Sequence, residues 1–332
     1  MELKFSVVLL PLVSAGAERF NPGGYREPRD PTSIFPELAK IEGLRGLEVN
    51  YPFVVNRENA ERMRRAAEDY GLSYAVVGVA ITQEARWARG ALASLSEETR
   101  RQAVARVKEA IDVARAVGSK IINVWPGREG FDYPFSTDYR RQWDAYVDSL
   151  AEIAEYAEPD VKIAIEPKVE DPQGYLIHGS AGRALATVLE LRQRGIKNVG
   201  VMIEFSHSRL AREYNPETVV MLARHGALYH LQLNDMLYDL DLDLPPATYS
   251  VVEYAELLYW LHELGYDGWL GLDLYPRYVD PVSMVRESVA NLRAIYSALE
   301  RVGWDRIRKV VQGGSFEEAQ GLVREILWGA RG

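Results

Sequence analysis

Four apolar segments from Lys162 onward each close on a side chain able to bind a cation. Lys162 to Ile165 runs into Glu166-Pro167-Lys168, and Val199 to Ile203 runs into Glu204. Leu228 to Leu233 carries Gln232 and leads to Asn234 and Asp235, while Trp269 to Leu272 leads to Asp273. Two neighbours add ligand types: His207, three residues after Glu204, and the alternating Asp239, Asp241 and Asp243. Several carboxylates aimed at one place repel one another and resist desolvation, a conflict that divalent cations remove. Hard oxygen donors with a single imidazole suit Mg, Mn or Co better than a thiolate or multi-histidine zinc site. Singly, each signal has a plainer reading: a solvated loop Glu, a helix-start cap at Glu204-x-x-His207, an exposed edge strand at Asp239 to Asp243. Four successive tips of this kind argue for a shared metal centre.

The elements that must position these groups follow from periodicity. Continuous apolar runs of this length suit strands buried on both faces. Pro167 has no N–H for a ladder, so its strand ends there, with Glu166 and Lys168 at the tip. Helix, glycine, apolar strand is the recurring phrase. Asn56 is placed to cap a helix through Glu61 to Tyr70, ending at Gly71, and Ser96 one that reaches Val117 and stops at Gly118. Further helices are predicted over residues 137–157, 182–194, 215–224, 251–264 and 281–302. Strand starts near residues 4, 46, 73, 120, 161, 199, 228 and 269 make eight βα units, which predicts a (β/α)8 TIM barrel over residues 1–302. Residues 303–332 read as an amphipathic helical C-terminal extension, and no linker divides the chain. No G-x-G-x-x-G follows the first strand, which counts against a dinucleotide fold. In such a barrel the chemistry belongs at the C-terminal strand ends. His178, His225, His230 and His262 read as structural or surface residues.

Composition narrows the partners. A formal net charge of −9 argues against a phosphate backbone. No apolar run approaches the ~18 residues of a membrane span. Phe5 to Val13 is short, follows a single Lys and lacks a small-residue cleavage site, so it reads as a strand rather than a signal peptide. The absence of cysteine excludes disulfides and thiolate sites and fits a cytoplasmic protein. Abundant Glu and Arg point toward a thermophile.

Glu166-Pro167-Lys168, Glu204-x-x-His207, His230-x-Gln232-Leu233-Asn234, Asp241-x-Asp243-Leu244 and Asp273 followed by Pro276 together resemble the metal-site order of xylose isomerases. Trp125-Pro126-Gly127-Arg128-Glu129-Gly130 is similar to that family's Trp-x-Gly-Arg-Glu-Gly segment. The resemblance is collinear over roughly residues 1 to 300, from Tyr25-Arg26 to Ser288-x-x-Asn291. It implies a two-metal aldose–ketose isomerase acting on an open-chain sugar, with Mg, Mn or Co as cofactor and a homodimeric or homotetrameric assembly. Glu166, Glu204, Gln232 and Asp273 would hold one cation. Glu204 would bridge to a second, held by His207, Asp241 and Asp243. Lys168 would hydrogen-bond O1 of the substrate, and Trp125 would form an apolar wall, with Asn50 and Trp87 also expected against the sugar.

Two departures from the family pattern matter. Gln232 stands where the family has an aspartate ligand. Asn50 stands where the family has its ring-opening histidine, and Phe53 replaces that histidine's acid partner; an amide is no base near neutral pH. The leading expectation is therefore a metal-assisted hydride shift. The alternatives are a ketose 3-epimerase, in which Glu166 and Asp273 exchange a proton with a substrate carbon, and a metal- or sugar-binding barrel without catalysis. An abasic-site endonuclease is disfavoured, because a trinuclear zinc site wants clustered histidines and this acidic chain has five in all.

Overall fold

The computed structural model describes residues 1–329. Eight parallel strands close into a barrel: β1 Phe5–Val8, β2 Leu44–Tyr51, β3 Ser73–Val79, β4 Ile121–Val124, β5 Lys162–Ile165, β6 Val199–Glu204, β7 Leu228–Leu233 and β8 Leu270–Leu272. Each is paired with its neighbours in sequence, and β8 returns to β1 with Phe5 opposite Leu270. Buried on both faces, the strands are nearly uniform in apolar character. The side chains of Val7, Leu47, Val77, Ile122, Ile163, Val201, Leu231 and Leu272 are all inaccessible or nearly so.

Helices follow the strands where the glycine stops predict them. The helix Glu97–Val117 starts at Ser96, whose hydroxyl accepts from Thr99 N–H, and ends on Gly118 at φ 83°. The helix Pro281–Val302 packs beside the helix Val251–Glu263 and begins at Asp280, which accepts from Ser283 N–H. Asn56 does not cap the second-unit helix: that helix spans Ala60–Asp69, and the Asn56 side chain instead closes the preceding turn by accepting from the N–H groups of Glu58 and Asn59. Short polar side chains compete for nearby N–H groups wherever the chain turns, so they mark a turn as readily as a helix start.

Beyond Val302 the chain forms two further helices, Trp304–Gly313 and Phe316–Trp328, the second opened by a reciprocal Ser315/Glu318 cap. They pack on the helices of the last two units through Ile307 and Leu322, both buried, and through Arg308, whose guanidinium lies 2.8 Å from Glu263. The last three residues of the expected extension, 330–332, lie outside the described residues. Among the described residues, no helix is long and apolar enough to cross a membrane.

Candidate metal centre

The C-terminal ends of the strands open into one polar cavity. Glu166, Lys168, Glu204, Gln232 and Asp273 line it from the ends of β5 to β8, joined by His207, Asp241 and Asp243. Asn50, Asn123 and Trp125 complete the wall on the side of β2 and β4. Local sequence explains the placement. Strand β6 stops at Glu204, and Phe205–Leu210 turns at once into a helix, which carries His207 back over Glu204 one turn later. After β7 the chain forms an antiparallel hairpin, Asp235–Leu237 against Leu240–Leu244, that folds over the mouth. Its period of two sends Asp241 and Asp243 to one face. Asp239 falls in the exposed turn and pairs with Arg212 instead, so the Asp241/Asp243 register is the one that meets the cavity.

Ligand atoms gather in two overlapping groups. Glu166, Glu204 and His207 offer atoms all within 4.8 Å of one another, and so do Glu204, Asp241 and Asp243. Glu204 is common to both. His207 Nε2 lies 2.6 Å from Glu204 Oε2 and 3.1 Å from Asp241 Oδ2, while its Nδ1 lies 3.3 Å from Glu166 Oε1. The imidazole therefore stands between the two groups rather than with the aspartate pair alone. Amides hold the carboxylates from behind: Asn123 donates to Glu166 at 2.6 Å, and Asn234 donates to both Glu204 and Asp243 at 2.7 Å. Asn234 is itself fixed by Ser206, whose N–H and hydroxyl both donate to its carbonyl. The Lys168 ammonium donates to Asp241 at 2.8 Å and lies 5.5 Å from the centre of the Trp125 ring.

Electrostatics follow from this crowding. Burial, reinforced by repulsion from neighbouring acids, holds the Asp243 and Asp273 carboxyls well above the ordinary aspartate range and raises Glu204. Burial would also lower His207 and Lys168, but Glu204 and Asp241 outweigh it and push both upward. Asp241 moves the other way: burial opposes its ionisation, and the cations His207 and Lys168 overcome that. The cavity thus holds more acid than its own cations can neutralise. Two buried oxygens also lack a partner here: Gln232 Oε1 and Asp241 Oδ1. Buried atoms of this kind ordinarily find a partner. A set of carboxylate and amide oxygens with one imidazole, and orphaned donor atoms among them, fits a hard divalent cation.

Two expectations for the wall need correcting or completing. Trp87 does not reach the cavity: it is fully buried in the core, with the guanidinium of Arg86 4.5 Å from its ring centre and that of Arg106 5.9 Å away. The apolar run Ala91-Leu92 beyond it is also fully buried, so the loop after β3 turns inward and carries the indole with it. Phe53 is half exposed and lies outside the cavity, whereas Asn50 lines it with its Oδ1 unpaired. Sequence reading passed over Glu48 and Asn123. Both face the barrel interior from mid-strand positions, and the signal available was a polar residue interrupting an apolar run.

With this geometry the chain matches known proteins throughout its barrel. Residues 36–295 match the family described as the xylose isomerase-like TIM barrel, and the chain belongs to that family. It is 26% identical over 279 residues to the xylose isomerase of Thermus thermophilus, an alignment covering 80% of this chain and 71% of that enzyme. Among solved structures, 3-keto-D-glucoside 4-epimerase from E. coli superposes with a TM-score of 0.67 at 18% identity, covering 88% of this chain and 99% of that one. D-psicose 3-epimerase from Clostridium cellulolyticum, solved with D-tagatose, gives 0.66 at 16% identity, covering 88% and 98%. At such identities the structural likeness speaks for the fold.

Proposed function

We propose that this protein is a divalent-metal-dependent aldose–ketose isomerase that moves hydride between C1 and C2 of an open-chain sugar. The observation that carries the reading is Glu204, one carboxylate belonging to both ligand groups at the mouth of the barrel. Glu166, Glu204, Gln232 and Asp273 would hold one cation, and Glu204, His207, Asp241 and Asp243 the other, with Mg, Mn or Co as the ions. When bound, the two cations would supply positive charge beside the adjacent substrate oxygens on which charge develops.

The chain's own groups account for the rest. Lys168, already positioned by Asp241, donates a hydrogen bond to the carbonyl oxygen at C1 and leaves the metal ligands intact. Trp125 covers that ammonium with an apolar ring and keeps bulk water from the carbon that receives hydride. Asn123 fixes the Glu166 carboxylate in one rotamer, so the ligand set is formed before substrate arrives. Asn50 contacts substrate hydroxyls as donor or acceptor but opens no ring, so the substrate is an open-chain or readily opening sugar. Exposed Phe316 and Trp328 on the last helix support a dimer or tetramer, which light scattering in solution tests.

The amide at position 50 also favours a second reading, a ketose 3-epimerase in which Glu166 and Asp273 exchange a proton with a substrate carbon. One experiment separates them. An aldose deuterated at C2 is turned over with Mn, Co or Mg beside a chelated control, across a panel of sugars. A hydride shift keeps the label in the ketose at C1, and substantial loss of that label to water overturns the hydride shift in favour of proton transfer. A 3-epimerase instead leaves the aldose unconverted and exchanges the C3 hydrogen of a ketose with solvent deuterium, which overturns the isomerase reading in its favour. Ion-dependent thermal stabilisation with no turnover on any sugar would leave only a binding protein.

A further inference from the structure

One buried carboxylate near the cavity belongs to neither ligand group. Glu48 sits on β2, two residues below Asn50, inside the barrel and 2% exposed. Its Oε1 accepts from the Ser6 hydroxyl at 2.6 Å and faces His230 Nε2 at 2.9 Å. Its Oε2 accepts from the Gln232 side-chain amide at 2.7 Å. The fold reserves room for it: a Cβ on Gly271 of β8 would lie 2.3 Å from Glu48 Oε1 and 2.9 Å from His230 Nε2. Gly271 pairs with Gln232 on one side and Ser6 on the other, so the space opens in the layer that carries all of Glu48's partners.

The consequence lies in the Gln232 amide. A side-chain amide has one donor end and one acceptor end, and a carboxylate can bind only the donor. Because Glu48 takes the NH2 group, the carbonyl oxygen must turn the other way, toward the cavity, where it has no partner. Gln232 is therefore held with its only metal-ligating atom forward. The carboxylate that an aspartate ligand would bring to this place is present one layer deeper, on β2.

Resting on the two-cation reading above, we propose that Glu48 is a positioning residue. It pins the Gln232 amide so that Gln232 Oε1 serves as a ligand of the cation shared with Glu166, Glu204 and Asp273. Residues that orient a metal ligand typically influence affinity 10–100-fold.

The test is Mn binding by titration calorimetry, which needs no turnover. Glu48→Met removes the acceptor at similar volume and is expected to weaken the Gln232 site by about 10–100-fold. Glu48→Gln keeps an acceptor oxygen for Gln232 and stays within about threefold of wild type if pinning, rather than charge, is what matters. In a Gln232→Met background Glu48→Met should cost nothing further, because both act through one amide. Equal losses in Glu48→Met and Glu48→Gln, or additive losses in the double variant, overturn the proposal. Should Glu48→Met not fold, the Mn-loaded crystal structure of the wild type decides: Gln232 Oε1 toward the ion and Nε2 on Glu48 supports it, and any other rotamer overturns it. A wild type that binds no divalent ion overturns the two-cation reading and the proposal with it. Unchanged affinity in folded Glu48→Met, with wild-type binding intact, overturns this proposal alone.

Discussion

His207 Nε2 lies 2.6 Å from Glu204 Oε2, three residues earlier, so one strand end and the turn after it deliver imidazole and carboxylate as a unit. Both ligand groups meet at that carboxylate. Glu204→Gln exchanges one of its oxygens for a donor that cannot ligate a cation. Manganese affinity should fall at both sites by about 100-fold or more, with essentially all turnover. The metal-free protein should melt no lower than wild type, because the substitution removes a carboxylate whose ionisation is opposed first by burial and further by Asp241 and Glu166, against the pull of His207. Wild-type turnover in this variant would remove Glu204 from the centre.

Lys168 makes a separable prediction. It donates to Asp241 and supplies no metal ligand, so Lys168→Met should leave manganese affinity within a few-fold of wild type. Turnover should fall by about 10²–10³, the range measured on losing one donor to a developing oxyanion. Equal losses of affinity and turnover would place Lys168 in the metal site rather than against substrate.

How much of this was legible beforehand depends on where each residue sits relative to a strand end. Glu166, Glu204 and Asp273 each terminate an apolar run, so strand periodicity alone brings them to one mouth. The glycine stops place the helices between them. Asp241 and Asp243 are legible as an alternating pair, but only the hairpin turn at Tyr238-Asp239 decides which two of the three aspartates face inward. Glu48 escapes such reasoning because its partners Ser6, His230 and Gln232 come from strands that only barrel closure brings together. Trp87 is misjudged for a related reason: a loop indole has no periodicity to say which way it points, and the burial of Ala91 and Leu92 decides it.

Metal removal should lower stability in a concentration-dependent way. The buried acids of the centre resist ionisation in the metal-free chain, through burial first and mutual repulsion second, which holds the Asp243 and Asp273 carboxyls high. An ion that binds only the folded state stabilises it by about 2.7 kcal/mol at a hundredfold excess over its Kd. Melting followed by circular dichroism should therefore rise with added Mn and fall back on chelation. A melting temperature indifferent to both would count against any tight site.

Glu129 should matter for stability rather than chemistry. It is fully buried beside the Trp125-Pro126-Gly127-Arg128 segment, and its two oxygens accept from the N–H groups of Ala91, Leu92 and Ala93. Burial nonetheless pushes its carboxyl up to about 7, against the pull of those donors. Glu129→Gln aims an NH2 group at a row of backbone donors and leaves at least one of them unpaired. The expected loss is about 2–3 kcal/mol in urea unfolding, with manganese affinity preserved. A loss below about 0.5 kcal/mol would show that the loop repacks freely.

His178 sets an acid limit that lies outside the metal centre. It is wholly buried, bonded through Nε2 to Thr187 at 2.9 Å and packed edge-on against Trp143 and Tyr146. Burial, with some help from Arg183, pushes it down to about 3 from an ordinary value of 6.5. Below pH 6.5 the unfolded chain takes up a proton that the folded chain refuses. The contribution is therefore complete above pH 6.5 and is lost as pH falls toward 3, at up to about 1.4 kcal/mol per pH unit. His178→Gln lacks that proton site. The variant should be less stable than wild type near neutrality, and the gap should close by about 1.6 kcal/mol between pH 6.5 and pH 5 in urea unfolding followed by fluorescence. A gap that stays constant across that interval would mean that His178 titrates alike in both states, and that its burial is relieved before the proton arrives.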